Sequence, residues 1–271
     1  MPQFQQKVEV VQCEHITGDV VRLTMNAREI AAAARPGQFV MVQTAPGMDP
    51  LLRRPFSIHQ ISSDGHLQIL FKVVGKGTQR LARIRAGERL SLLGPLGNGF
   101  AVGAPETACL IGGGMGIAPM LFLASSFLHA SGVKKDSLVL PKVILGARNR
   151  EELEPLVQDF QSLGLEVLAA TDDGSFGYHG LVTDVLRKIN LSPLFMSPLF
   201  TVYCCGPRPM MAAIAHLCRQ ENRGCQVSVE TVMACGMGAC LGCAVPLKAG
   251  GYAHVCSDGP VFAAEELLWS L

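Results

Sequence analysis

Four of the ten cysteines in this 271-residue chain lie close together, at Cys235, Cys240, Cys243 and Cys256. Their spacing is C-x4-C-x2-C-x12-C, and glycines surround the first three. Thiolates are soft ligands, so four of them at short range predict a metal centre and suit iron–sulfur chemistry. The glycines would allow backbone N–H groups to turn toward the sulfurs, which tunes the potential of such a centre.

The spacing favours an iron–sulfur cluster over two alternatives that stay open. The first three cysteines have the spacing of plant-type [2Fe-2S] sites. A structural zinc site usually combines two C-x2-4-C pairs about 12–20 residues apart, and Cys256 has no such near partner. Inert core cysteines are the third interpretation. The remaining cysteines fall mostly in strand or helix patterns, which favours small buried side chains for most of them: Cys13, Cys109, Cys204, Cys205, Cys218 and Cys225.

Two glycine-containing turns could bind a nucleotide. Gly112-Gly113-Gly114-x-Gly116 joins an apolar strand to a helix, whose N-terminus offers unpaired N–H groups and a positive dipole to a pyrophosphate. The G-x-G-x-x-G fingerprint does not fit, and a plain tight turn is the alternative. Cys205-Gly206-Pro207 forms a second strand–turn–helix junction. Two such turns at the carboxyl ends of parallel strands predict a nucleotide crevice.

The N-terminal part carries a different group of candidate residues in Arg54-Pro55-Phe56-Ser57. On a regular strand Arg54 and Ser57 would project to opposite faces unless a bend intervenes, and Pro55 could supply that bend. Arg54 would then contact a phosphate, Ser57 a flavin ring atom, and Phe56 would pack on the cofactor. Gly77-Thr78 lies close to a predicted helix and could bind a phosphate or cap the helix. For Arg54-Pro55-Phe56-Ser57, the alternative is an ordinary edge strand with a surface arginine.

The elements that must position these residues change in type along the chain. Residues up to about Gly99 predict six short strands of an antiparallel barrel, with one weak helix at Arg28–Ala34. From Thr107 onward strands and helices alternate, which predicts a parallel sheet with covering helices. Beyond Val229 the chain is irregular and cysteine-rich, and a short helix is expected near Ala264–Leu268. The fold class is therefore β plus α/β.

Composition excludes several functional classes. The net charge is +1 with only 17% charged residues, so nothing drives the chain electrostatically toward nucleic acid. Ten cysteines are too few for a disulfide scaffold. The run from Thr107 to Val133 has no charged residue, but its glycines and proline suit a turn better than a membrane helix. The N-terminus lacks a signal-peptide pattern, so we expect a cytoplasmic protein with reduced thiols.

Taken together, these motifs resemble the ferredoxin reductase superfamily and, within it, the electron-transfer subunits of dihydroorotate dehydrogenase B. The match spans nearly the whole chain, and its C-terminal block is the most specific part. The residues that carry it are Arg54-Pro55-Phe56-Ser57-Ile58, Gly77-Thr78, the segment Gly94–Phe100, Gly112-Gly113-Gly114-x-Gly116-x-Ala118-Pro119, Cys205-Gly206-Pro207 and the segment Glu230–Cys243.

The resemblance implies three domains: an FAD-binding β-barrel over 1–103, an NAD-binding α/β domain over 104–225 and a [2Fe-2S] domain over 226–271. It implies that the four cysteines ligate the cluster and that Gly114 and Cys205-Gly206-Pro207 face NAD(H). The residues it assigns to FAD are Arg54, Pro55, Phe56, Ser57, Leu70, Phe71, Lys72, Gly77 and Thr78. Two departures are that plant-type ferredoxins have a longer gap before the last cysteine, and that the insert Ser131–Leu140 has no assigned role.

The activity implied is electron transfer between NAD(H) and the FMN of a dihydroorotate dehydrogenase catalytic subunit, in pyrimidine biosynthesis, in a heterotetramer with two copies of each subunit. A related flavoprotein subunit of a sulfide dehydrogenase or NADPH–ferredoxin oxidoreductase is the alternative. Those relatives are expected to replace one cluster cysteine by Asp, whereas this chain has all four. A zinc-bearing interaction module without redox activity is an alternative of another class. Arg148 could meet a 2′-phosphate, but lone arginines at such positions are more often solvated, which favours NAD over NADP.

Overall fold

The computed structural model describes residues 3–45, 47, 49–103, 108–130, 140–189 and 200–269. Its contacts divide the chain into two compact units. The first comprises Met1–Gly99, Glu230–Val245 and Tyr252–Val261, and the second comprises Phe100–Val229, Pro246–Gly251 and Phe262–Leu271. The three-domain division at residues 103 and 225 stays a prediction.

The first unit contains the predicted antiparallel barrel. Six strands close it in the order β1-β2-β5-β4-β3-β6. The barrel interior is filled by apolar side chains such as Leu23, Val40 and Ile69, none of which is exposed to solvent. This confirms the barrel that the six short apolar strands predict. The elements are β1 (Phe4–His15), β2 (Val20–Asn26), α1 (Arg28–Ala33), β3 (Phe39–Gln43), β4 (Arg54–Ile61), β5 (His66–Lys72), α2 (Lys76–Leu81) and β6 (Arg89–Leu96).

The second unit contains the predicted parallel sheet, in a seven-stranded order β10-β9-β8-β7-β11-β12-β15. All six residues of β7 are buried, as expected for a strand covered on both faces. The elements are β7 (Ala108–Gly113), α3 (Ala118–Ala130), β8 (Lys142–Ala147), α4 (Arg150–Ser162), β9 (Val167–Thr171), β10 (Tyr178–His179), α5 (Val182–Ile189), β11 (Thr201–Cys205), α6 (Arg208–Gln220), β12 (Gly224–Ser228) and β15 (Val261–Ala263). The hairpin of β13 (Ala244–Pro246) and β14 (Tyr252–His254) is a separate sheet.

The helix expected near Ala264–Leu268 is wrong, because a turn follows β15 there. The Trp269 indole N–H donates to the Ala264 carbonyl at 2.7 Å, and Leu267 forms a bridge with Leu247. These contacts hold the segment in a turn although its residues are good helix formers.

Two further expectations concern the insert at Ser131–Leu140 and the uncharged run from Thr107 to Val133. The insert at 131–139 lies outside the described residues, apart from Leu140 at its end. The uncharged run contains β7, the glycine turn and α3, a helix of 13 residues. Among the described residues, no helix has the length and apolar character that crossing a bilayer requires.

Candidate functional site

The four clustered cysteines form two pairs of thiols in the first unit, and among the described residues no three of them already converge as a metal site. Cys243 Sγ lies 3.3 Å from Cys256 Sγ, and both side chains are buried. Cys235 and Cys240 form the second pair, in which the Cys240 side chain hydrogen-bonds to the Cys235 sulfur. Cys240 is exposed and Cys235 is half-buried. A cluster of two irons needs two thiol ligands for each iron, and two pairs of thiols provide that donor set.

Backbone N–H groups point toward these sulfurs, as the glycine content predicts. The N–H of Gly238 donates to Cys256 Sγ at 3.1 Å, and the N–H of Cys240 donates to Cys235 Sγ at 3.4 Å. Gly236 and Gly238 adopt φ of 74° and 82°, a left-handed backbone that favours glycine. Such N–H groups stabilise negatively charged sulfur, whether thiolate or cluster.

Cys235 and Cys256, one thiol from each pair, differ in pKa. Burial alone would raise the pKa of Cys235, but hydrogen bonds to its sulfur, including the backbone N–H groups of Met237 and Cys240, lower it to about 6. Burial and the neighbouring Cys243 thiol raise the pKa of Cys256 to about 12. A thiol must lose its proton to ligate a metal, so Cys235 is prepared for ligation, whereas Cys256 needs the metal to drive its deprotonation.

The cluster loop is seated on the barrel. A Cβ atom at Gly236 would lie 2.5 Å from Cγ of Met41, so only glycine allows the loop to approach β3 this closely. The segment after Cys256 is also hydrogen-bonded to the residues that follow β6, because the Asn98 side-chain amide donates to the carbonyl of Asp258 at 2.9 Å. Met41 is the register partner of Pro55. The cysteine loop therefore contacts β3 at the residue that pairs with Pro55 of the Arg54–Ser57 motif.

The Arg54–Ser57 motif forms the start of β4. Its four residues pair with β3 in continuous register, and the irregularity lies later, between Ile58 and Gln60 on the side of β5. The bend expected at Pro55 therefore does not interrupt this pairing. All four residues are half-buried, so each keeps part of its surface available. The Phe56 ring packs against the Phe71 ring with centroids 5.3 Å apart, which brings two of the predicted FAD contacts together.

The other residues predicted to bind FAD differ in the contacts that they already make within the chain. A Cβ atom at Gly77 would lie 3.5 Å from Arg54 Nε, so the glycine turn lies beside the guanidinium. The Thr78 hydroxyl donates to the Gly75 carbonyl at 2.9 Å and accepts from the Val74 and Gly75 N–H groups. Lys72 Nζ lies 2.9 Å from an Asp19 carboxylate oxygen.

The second unit brings the two nucleotide turns together. Gly112 at the end of β7 is the register partner of Cys205 at the end of β11. The strand order reverses at this point, since β8 and β9 lie on one side of β7 and β11 and β12 on the other. Parallel sheets bind nucleotides at such a reversal. A Cβ at Gly116 would lie 2.3 Å from the Cys205 carbonyl oxygen, so the two turns are in direct contact.

Space beside these turns suits a ligand. Gly114 has a φ of 54°, and nothing lies within 4 Å of where its Cβ would stand. Gly113 and Gly206 both face Met210, whose sulfur or methyl would lie 2.4 Å from an added Cβ. Arg148 pairs with Glu152 at 3.1 Å, so this guanidinium is already engaged by a carboxylate.

Sequence reasoning missed three residues of the first unit. Met41 reads as an ordinary barrel residue and gives no sign of contacting the cysteine loop. Thr44 has no motif around it. Arg53 lies next to the predicted Arg54 but has a structural role, because it donates to the Ser91 carbonyl at 2.8 Å and the Ser91 hydroxyl at 2.9 Å.

Four of the remaining six cysteines are core residues, as expected. Cys109, Cys204, Cys205 and Cys218 are buried, and burial raises the pKa of Cys204 well above its usual value. Cys13 and Cys225 are half-buried.

Comparison with known families divides the chain into three matching regions. Residues 7–100 match the oxidoreductase FAD-binding domain, and residues 110–216 match the oxidoreductase NAD-binding domain. Residues 230–268 match the iron–sulfur cluster binding domain of dihydroorotate dehydrogenase B. These matches confirm FAD, NAD and an iron–sulfur cluster as the cofactor set of the chain.

Individual proteins give the same answer over the full length. A "dihydroorotate dehydrogenase B (NAD(+)), electron transfer subunit" of Caldanaerobacter subterraneus is 37% identical, over 98% of this chain and 99% of that protein. A relative of the same description from Geobacillus kaustophilus is 41% identical over 91% of each chain. The structure of an NADH-dependent reduced ferredoxin–NADP oxidoreductase superposes with a TM-score of 0.81 at 28% identity, covering 97% of this chain and 90% of that one. The chain belongs to the family of dihydroorotate dehydrogenase B electron transfer subunits.

Proposed function

We propose that this chain passes electrons between NAD(H) and a catalytic subunit that oxidises dihydroorotate on FMN, within pyrimidine biosynthesis in the cytoplasm. The observation that carries the proposal is the seating of the cysteine loop on β3. Because Gly236 packs on Met41 and Met41 pairs with Pro55, the cysteine loop contacts the strand that pairs with the predicted FAD motif. A chain that must move electrons between two groups needs them held at a fixed short spacing.

The residues divide this work among themselves. We assign FAD binding to Arg54, Phe56, Phe71 and the Gly77 turn, and nicotinamide nucleotide binding to Gly114 and the Cys205–Pro207 turn. The FAD held by these residues would supply hydride chemistry and single-electron release, and the four cysteines would hold a [2Fe-2S] cluster that would supply one-electron transfer. The protein supplies placement and tuning, so no side-chain general base is required. We further propose a complex of two copies of each subunit.

The assay is co-expression of this chain with the proposed FMN-containing subunit, followed by purification through a tag on that subunit only. We expect co-purification in equal amounts, with FAD and iron bound to this chain. A hydrodynamic mass equal to two of each subunit would support the assembly. Failure of the two chains to co-purify, with each soluble and loaded with cofactor, would remove the specific partner from the proposal.

A second candidate is a ferredoxin-linked oxidoreductase, because the NADH-dependent ferredoxin–NADP oxidoreductase superposes on nearly the whole chain. The presence of four cysteines in place of three and an Asp favours dihydroorotate. The two candidates separate in one assay: reduced ferredoxin should not drive NAD(P)⁺ reduction by the purified chain, whereas dihydroorotate should do so with the partner subunit present.

A further inference from the structure

One buried hydroxyl in the first unit has no hydrogen-bond partner among the residues that the structure describes. Thr44 is only 6% exposed, and its Oγ1 is fully shielded from solvent. Buried hydroxyls are almost always paired, because leaving one unpaired loses its hydration without compensation. Thr44 directly follows β3, so barrel pairing does not explain the placement of this side chain.

The surroundings of this hydroxyl are those of an anion site. Thr44 Oγ1 lies 3.2 Å from where a Cβ atom on Gly77 would stand, and Arg54 Nε lies 3.5 Å from the same point. Because Gly77 has no side chain, this residue places nothing between the Thr44 hydroxyl and the Arg54 guanidinium. A hydroxyl and a guanidinium together suit a phosphate oxygen, which accepts hydrogen bonds from both.

Thr78 cannot provide the hydroxyl of this site in its present arrangement. Its Oγ1 donates to the Gly75 carbonyl at 2.9 Å and accepts two backbone N–H groups at 3.0 and 3.1 Å. The hydroxyl is thus fully used in capping α2. The unpaired donor near Arg54 belongs to Thr44, a residue that lies outside every motif in the sequence.

We propose that the Thr44 hydroxyl donates a hydrogen bond to a phosphate oxygen of bound FAD, beside Arg54 and over Gly77. This inference rests on the proposed function, because it takes FAD as the occupant of the barrel site. Thr44 is then a cofactor-binding residue. Its hydroxyl has no acceptor among the described residues of the barrel, and the phosphate oxygen supplies that acceptor.

The test measures FAD affinity by diluting purified holoprotein and following the fluorescence of released flavin. Replacing a hydrogen bond to a charged group should weaken FAD binding by roughly 10- to 100-fold in Thr44→Val. Thr44→Ser keeps the donor and should stay within about threefold of the unchanged protein. If the valine variant does not accumulate, Thr44→Ala makes the same comparison. Thr24→Val, at another buried threonine of the barrel, is the matched control and should also stay within about threefold.

Two further readouts separate a phosphate contact from other roles. Iron content and cluster absorbance should be unchanged in Thr44→Val, and the positions of the flavin absorption bands should not move. A shifted flavin spectrum would place Thr44 at the ring system and overturn the phosphate contact. Equal FAD affinity in Thr44→Val, or equal loss in Thr24→Val, would also overturn it. Absence of FAD from the unchanged protein would instead contradict the proposed function.

Discussion

The contact between the two nucleotide turns leads to a strong prediction about Gly116. A Cβ atom there would lie 2.3 Å from the Cys205 carbonyl oxygen and 2.4 Å from the Gly206 nitrogen. An ordinary contact is about 3.4 Å, so Gly116→Ala must push the turns apart by about 1 Å. Overpacking of this kind costs about 1–3 kcal/mol, and a misplacement of about 1 Å in a binding constellation can cost about 100-fold.

The assay is NADH oxidation with ferricyanide as an artificial acceptor, together with direct titration of NADH. We expect Gly116→Ala to raise the Kd for NADH by roughly 10- to 100-fold, because both turns must face one nucleotide. FAD and cluster absorbance should stay unchanged, since their predicted ligands lie in the first unit.

Gly224→Ala is the matched control within the same sheet. An added Cβ there would meet only the Thr201 side chain, at 3.3 Å and beyond, at the amino end of β12. It should leave the Kd for NADH within about twofold. Retention of NADH affinity by Gly116→Ala, or an equal loss in Gly224→Ala, would refute the nucleotide crevice at these turns.

Three further predictions concern the cysteine thiols and the neighbouring residues Arg53 and Arg54. Cys243→Ser should remove most of the cluster signal in electron paramagnetic resonance, whereas Cys13→Ser should retain it, because only the former side chain faces another cluster cysteine. Arg54→Ala should weaken FAD binding by roughly 10-fold or more, whereas Arg53→Ala should chiefly lower the unfolding temperature, because Arg53 bonds to the β6 backbone. Cys109 should resist alkylation until the protein unfolds, as burial raises its pKa and shields it, and mass spectrometry of labelled peptides checks this. Equal effects within either pair of variants, or rapid native labelling of Cys109, would contradict these expectations.

Most of the fold could be predicted because its signals are local. Short runs rich in Val, Ile, Leu and Phe mark β2 and β5 as strands, and the uniformly apolar β7 marks a strand covered on both sides. The C-terminal turn could not be predicted, because it depends on the Trp269 indole reaching the Ala264 carbonyl and on pairing with Leu247. Those contacts are tertiary and leave no period in the sequence.

The site divides in the same way. The cysteine spacing and the glycines at Gly236 and Gly238 predict both the thiol pairs and the N–H groups that face them. Thr44 and Met41 escape prediction, since each matters only through a residue far along the chain, Gly77 in one case and Gly236 in the other. Spacing motifs report ligands that lie on one loop, and they say nothing about what packs behind that loop.

The measurement that tests the central claim most directly is dihydroorotate-dependent NAD⁺ reduction by the purified two-subunit complex under anaerobic conditions. The account predicts steady formation of NADH by the complex and none by either subunit alone. It also predicts loss of NADH formation in a Cys243→Ser complex that keeps its FAD and its partner. Undiminished NADH formation in that variant would contradict transfer through the cysteine site, and no NADH formation by a fully loaded complex would contradict the function itself.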